Sequence, residues 1–223
     1  MSATMVQPPA AAVQATDTKP IVITRTRVDR ILIGFGLLAA VVLAVAGALL
    51  MWGSNFAEDY VDRELSSQQI TFPSAEALTE DGRTDLLSFA GQDVNTGDEA
   101  EAYASYIDGH LEATADGQTY AQLGAVERAA RADVQSAIDA GQPQTTVDEL
   151  QATADGVTAD RNTLFKGETL RGLLLSAYAW ATVGMIAGIA AIALFVAAAV
   201  ALILVVAGVW HLRRMHQHGV VTS

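Results

Sequence analysis

The segment HLRRMHQH carries three imidazoles, His211, His216 and His218. Imidazole is a good ligand for transition metals. Their spacing matches no standard ligand pattern, however, and no carboxylate lies nearby, so the segment reads as a solvated tail. Arg213 and Arg214 within it are suited to lipid phosphates. His110 is the only imidazole between residues 54 and 171, and a lone helical His reads as a surface or packing residue. Asp98, Glu99, Glu101, Asp148 and Glu149 supply oxygen ligands that suit Ca²⁺. None sits in a D-x-[DN]-x-[DN]-G loop, so they read as solvated acidic faces. No G-x-S-x-G, Walker loop or H-E-x-x-H occurs. The chain has no Cys, which excludes disulfides, thiol catalysis and thiolate metal sites. These residues predict no cofactor and no enzymatic activity. Glu168 and Arg171 stand i,i+3 on a predicted helix. As an exposed pair they contribute only about a few tenths of a kcal/mol. Against a partner they matter more, which makes them candidate docking residues.

The elements that position these groups are dominated by membrane-length apolar runs. The composition is 51% hydrophobic with a mean hydropathy of +0.29, too apolar for a soluble domain of this size. Residues 31–51 hold no charged side chain, and a helix of that length rises about 31 Å, enough for a hydrocarbon core of roughly 30 Å. A cleaved signal peptide is the competing reading, since Ala44-Val-Ala46 and Ala46-Gly-Ala48 resemble cleavage sites. Leu49, Leu50, Met51 and Trp52 extend the run past them, which favours a retained anchor.

The second uncharged run is 172–210. Two crossings need at least about 17 residues each. No room then remains for a turn, and the run has no Pro, Asn or Asp to build one. A single crossing is favoured. Trp180 and Trp210 are separated by about 45 Å of helix, which matches a bilayer with both headgroup layers. Trp52 is expected level with Tyr178 and Trp180, as an aromatic belt.

Charge sets the expected topology. Lys19, Arg25, Arg27 and Arg30 precede the first run, and Arg213 and Arg214 follow the second. The positive-inside rule places both termini in the cytoplasm and residues 54–178 outside. Residues 54–171 hold 23 acidic and 7 basic side chains, a net −16 within a chain of net −12. So acidic a segment repels phosphate backbones and excludes nucleic acid as a partner.

The fold expected is all-α: two transmembrane helices, an extracytoplasmic helical domain between them, and a disordered N-terminal tail. The boundaries are a basic tail at 1–30, spans at 31–53 and 180–210, an acidic domain with stalk at 54–179, and a cytoplasmic tail at 211–223. The first helix is expected to run outward to about Gln69, where Ile70-Thr-Phe-Pro73 breaks it. A short helix is expected near 84–89. Thr96, Thr119 and Thr146 each head an S/T-x-x-E/Q capping box. The helix after Thr96 carries Tyr103, Ile107 and Leu111 on one stripe. The helix after Thr119 turns Leu123, Val126, Ala130, Val134 and Ile138 inward and ends at Gly141 and Pro143. The long second helix is expected to begin near Thr169, with Leu170, Leu173 and Leu174 on one face. Large apolar residues are few, so the core is expected to be thin.

Within the spans, Gly36, Ala40, Ala44 and Ala48 recur every four residues, and Gly184 and Gly188 form a G-x-x-x-G pair. Small residues let helices approach closely, within the chain or against a partner. The spans hold no Asp, Glu, Lys, Arg or His, so they suggest no proton relay or ion pathway.

The segments WGSNFAEDYVDRELSSQQITFP, AYASYIDGHL and TLFKGETLRGLLLSAYAW resemble a family of small, uncharacterised actinobacterial membrane proteins. The similarity covers residues 34–212 and is most specific at 167–180. It implies two spans, an external helical domain and no established activity. Members are often labelled as aromatic ring-opening dioxygenases. That chemistry needs Fe(II) on two His and a carboxylate, and the outer segment has one His. The expectation is a non-enzymatic multi-pass protein of the cell membrane. It would be an accessory or scaffold subunit whose partners are the lipid bilayer and another membrane protein or a second copy. The alternative is an envelope sensor or regulator with a ligand-detecting outer domain.

Overall fold

The computed structural model describes residues 25–218. Of the tail expected at 1–30, residues 1–24 lie outside them, Lys19 among them, as do the side chains of Arg25, His216 and His218. Five α-helices and one 3₁₀ helix follow in order: α1 (Arg25–Ser66), α2 (Ala75–Glu80), the 3₁₀ helix Thr84–Phe89, α3 (Gly97–Thr114), α4 (Tyr120–Asp139) and α5 (Gln144–His218). Among the described residues the one extended pairing is a single antiparallel bridge between Thr71 and Asp93. The all-α expectation holds. So does the expectation of two helices long and apolar enough to cross a membrane, with windows of mean hydropathy 2.6 and 3.2. Residues 25–30, placed in the tail by composition, are already helical in α1.

Local chemistry explains the shorter elements. Ser74 caps α2 by accepting the Ala77 N–H. Thr96 and Glu99 form a reciprocal capping box on α3, and Thr119 and Gln122 form one on α4. Each satisfies two amide donors that the first helical turn leaves free. Asp116 and Gly117 both take positive φ between α3 and α4, and Gly141, at φ +64, ends α4.

The start of α5 corrects the sequence reading. The second long helix begins at Gln144, not near Thr169. Pro143 supplies the carbonyl for the first turn, accepting from Thr146 N at 2.9 Å and Val147 N at 3.2 Å. Thr146 therefore lies inside the helix and heads no capping box. The segment GVTADRNTLFKG, residues 156–167, which precedes the expected start, is helical because its glycines are tolerated and it contains no Pro.

The described residues fall into two compact units, Val42–Ala198 and the described parts of Met1–Val41 with Ala199–Ser223. In the larger unit, Val61, Leu65, Phe72, Val94, Ala100, Ala104 and Leu174 form one core cluster. Phe72 stacks on Phe89 at 5.3 Å and meets the edge of Tyr103 at 5.1 Å. Leu111, Ala115, Leu123 and Leu164 form a second cluster. On α4 the buried positions are Leu123, Gly124, Glu127, Val134 and Ala137, whereas Val126 and Ile138 are exposed. The inward face thus follows a 3.5-residue period rather than the predicted stripe. That is the pattern of helices packing at a shallow angle.

The long helices approach through small residues. In the larger unit, a methyl at Gly184 would lie 2.9 Å from Ala57 Cβ, one at Gly188 would lie 2.8 Å from Ser54 Oγ, and one at Gly47 would meet Phe195 and Ala191. Positions rise along one helix as they fall along the other, so α1 and α5 run antiparallel. In the smaller unit, Gly36 faces Val205 and Gly208 faces Ile33 in the same sense. Ala40 and Gly184 are buried, and Gly36, Ala44 and Gly188 are half-buried. Ala48 is exposed, and Gly47 takes the buried place beside it. A four-residue spacing drifts about 40° per step around a helix, which carries Ala48 off the seam.

This register moves Trp180. Ser54 faces Gly188, so Trp52 stands level with residues near 190. Trp180 stands further along the helix, beside Tyr60 and Val61. The expected level of Trp52 with Tyr178 and Trp180 does not hold.

Candidate functional site

The best-connected polar cluster lies between α4 and α5, and its centre is Glu127. Arg131 donates to Glu127 Oε1 from Nε at 3.1 Å and from a terminal nitrogen at 3.0 Å. The Thr158 hydroxyl stands 3.0 Å from the same oxygen, and Arg161 donates to Oε2 at 2.7 Å. Arg161 also donates to the Tyr120 hydroxyl at 3.0 Å and lies 4.4 Å above that ring. Its Nε is buried without a partner, pressed over Gly124, where a Cβ would sit 3.3 Å away. The Glu127 side chain is 11% exposed. The Arg161 bond first, then Thr158 and Arg131, hold its carboxyl down at about 2. So firmly ionised a group is a poor proton shuttle at neutral pH. The cluster joins α4 to α5.

His110 stands among polar side chains of α3 and the end of α2. Its Nε2 lies 3.4 Å from the Tyr106 hydroxyl and 4.0 Å from Asp81 Oδ2. The Tyr106 hydroxyl donates to Asp81 at 3.1 Å. Burial first, then that bond, raises the phenol above its usual range. Nearby, Arg83 grips Asp85 with two nitrogens at 3.0 and 2.8 Å, and reaches the Ser105 carbonyl at 2.6 Å. The Arg83 bond holds the Asp85 carboxyl below its usual range. The group fastens the 3₁₀ helix to α3.

Glu168 and Arg171 do pair, at 3.0 Å. Arg171 also stands 3.4 Å from Asp108 on α3, a partner the spacing of the sequence does not reveal. The pair thus ties α3 to α5 within the chain. Among the carboxylates singled out above, Glu99 serves the α3 cap and Asp148 accepts from Gln144 at 2.8 Å. Among the described residues, no three His, Asp or Glu side chains are grouped to hold a metal ion.

Two clefts flank the C-terminal part of α1. One, of about 560 Å³, is lined by Glu58, Asp59, Asp62, Asp98, Asn95 and Thr182. The other, of about 510 Å³, is largely apolar, with Tyr60, Leu65, Tyr103, Ile107, Leu173 and Trp180 among its walls. Sequence reasoning found neither cleft, nor the burial of Glu127. A 3.5-residue count through α4 would have placed Glu127 on the inward face, with Arg131 one turn on. Comparison of the chain with protein-family models, with curated proteins and with solved structures finds no match in any of the three.

Proposed function

We propose that the chain is a two-span integral membrane protein that works by docking rather than by catalysis, as an accessory or scaffold subunit of a larger membrane assembly. One observation carries this reading: small residues line the contact between the long helices while large apolar residues point outward. Gly47, Ala191 and Ala198 are buried, whereas Leu49, Ile189, Ile192 and Val196 are exposed. This inversion suits a hydrocarbon solvent, where packing rather than the hydrophobic effect joins helices. The basic residues at both ends support cytoplasmic termini, with the acidic helical region beyond the membrane's other face. The resemblance at residues 167–180 fits the same placement.

The test is purification of the full chain from membranes in mild detergent. The reading expects a partner at fixed stoichiometry, or self-assembly. Recovery of a lone monomer would overturn it. Because the chain has no Cys, a single Cys at Gln68 labelled by a membrane-impermeant maleimide in intact cells tests the sidedness. A second reading, an envelope sensor, draws on the two clefts, both of small-ligand size. A soluble ligand that raises the melting temperature of the full chain would favour it.

A further inference from the structure

The apolar run of α5 outlasts that of α1. With Gly188 on Ser54 and Gly184 on Ala57, the end of the 31–51 run at Trp52 stands level with residues near 190. Residues 172–189 therefore continue past it, about 27 Å of apolar helix. Beside that stretch α1 carries two different faces. One bears Glu58, Asp59 and Asp62, on the acidic cleft. The other bears Trp52, Phe56 and Tyr60, whose rings stack in succession at 5.8 and 6.2 Å. All three rings are exposed, Trp52 at 69%. Tyr60 is also the first α1 residue of the apolar groove, which continues along α1 through Glu64, Leu65 and Gln68. Its α5 wall runs from Leu170 into that stretch, with Leu170, Leu173 and Trp180 largely exposed.

From this arrangement we infer that the groove between α1, α3 and α5 holds one acyl chain of a bilayer phospholipid, led up from the membrane surface along the Trp52–Phe56–Tyr60 strip. The inference rests on the reading that residues 31–51 cross a bilayer. Three features select an acyl chain. The strip joins the groove to the span through three rings in succession, with Arg63 over the Tyr60 ring at 5.7 Å turned to Glu64 at 3.7 Å and both of those side chains exposed to solvent, which gives a chain an aromatic path out of the bilayer. The volume of about 510 Å³ lies within the ~300–1,000 Å³ usual for small ligands, and an added helix ~10–12 Å across would need a broader trough. The polar lining is Glu64, Gln68, Ser176, the phenols of Tyr60 and Tyr103 and the Trp180 indole, with no Lys or Arg in the walls; Arg63, over the Tyr60 ring, is drawn to Glu64 at 3.7 Å. The groove is thus built for the chain and not for the headgroup.

The test uses the full chain with Trp52, Trp180 and Trp210 changed to Phe, reconstituted in phosphatidylcholine vesicles whose acyl chains are brominated. Single tryptophans then report contact with bromine as lost fluorescence. Ile189→Trp reports the end of the span, level with Trp52, Leu170→Trp the groove, and Gly172→Trp a point about 200° around the helix from Leu170 at nearly the same height. A Cβ at Gly172 meets no atom within 4 Å, so the substitution has room. The inference expects quenching at 189 and 170, none at 172, and recovery at 170 when Leu173→Glu is added. Quenching at 189 alone would overturn the acyl-chain inference and leave the membrane reading standing; it is also the outcome if a partner protein fills the groove. No quenching at 189 would overturn the membrane reading itself. Quenching at all three would show the region immersed in the bilayer, and would overturn the inference.

Discussion

Arg161 on α5 donates to Glu127 on α4 at 2.7 Å, across a turn that the chain makes at Gly141 and Pro143. The Glu127 side chain is only 11% exposed, so little water can replace this bond, and Arg131 and Thr158 share the same carboxylate.

The pH dependence follows in sign from that bond. The folded carboxyl titrates at about 2, below the ordinary 4.5. Folding therefore favours the ionised form, and the contribution is complete above about pH 4.5. It declines as pH falls and is gone below about 2. Thermal unfolding of the full chain in detergent, followed by circular dichroism, should show a melting temperature that drops across this window. Glu127→Gln should melt lower than the wild type at pH 7 and lose less on acidification. A remnant slope is expected, because the carboxyls of Asp85 and Glu76 are also held low. Equal acid sensitivity in both proteins would show that Glu127 does not anchor the pair of helices.

The first residue of α3 rests on α5. A Cβ at Gly97 would collide with the Ala181 side chain, with the Tyr178 backbone 3.6 Å away. Gly97→Ala should cost about 1–3 kcal/mol through overcrowding. Ala181→Gly alone should cost about 1 kcal/mol in helix propensity. The double variant should be more stable than the sum of the two losses allows, since the second change removes the colliding methyl. Denaturant midpoints of the four proteins supply the cycle. Strict additivity would show that α3 does not seat there.

Cysteine pairs read the register of the long helices directly, because no native thiol interferes. Ala57→Cys with Gly184→Cys, and Ser54→Cys with Gly188→Cys, should form disulfides under mild oxidation. Trp52→Cys with Trp180→Cys should not, because a disulfide needs Cα atoms within about 7 Å. Gel mobility before and after reduction decides this. Crosslinking of the tryptophan positions would restore the level expected from the sequence.

The capping boxes offer the simplest stability test. Thr96→Ala and Thr119→Ala should each cost about 1 kcal/mol, and their effects should add because they cap different helices. Replacing Thr146, which lies within the first turn of α5, should cost far less.

Elements with their own local chemistry were legible in the sequence. Thr96 and Thr119 announce helix starts through a fixed three-residue spacing, and Gly141 with Pro143 announces a stop. The apolar runs announce two helices by length alone. The start of α5 was hidden because a helix needs only the absence of a breaker to continue, and Gly156 and Gly167 look like breaks in a string. Gly167 is in fact where Leu111 packs: an added Cβ would collide with it. Glu127 was hidden for a different reason. Charge predicts exposure, and it takes Arg161 and Thr158, both remote in sequence, beside Arg131 to make its burial tolerable. The clefts were out of reach because each depends on the α1–α5 register, which many spacings of small residues would permit.

The unbroken course of α5 past α4 and then α1 restricts how this protein can change in length. A residue deleted within residues 144–198 turns everything beyond it by about 100° relative to everything before. Leu164, Leu174 and Gly184, each buried against a different neighbour, would then no longer face inward together. Removal of seven residues returns nearly the same facing, because two turns of a packed helix close on that count. Length variation among descendants of this sequence should therefore collect in the turns near Gly82, Gly91 and Gly117, where added residues rotate nothing, and arise along α5 only in steps of seven.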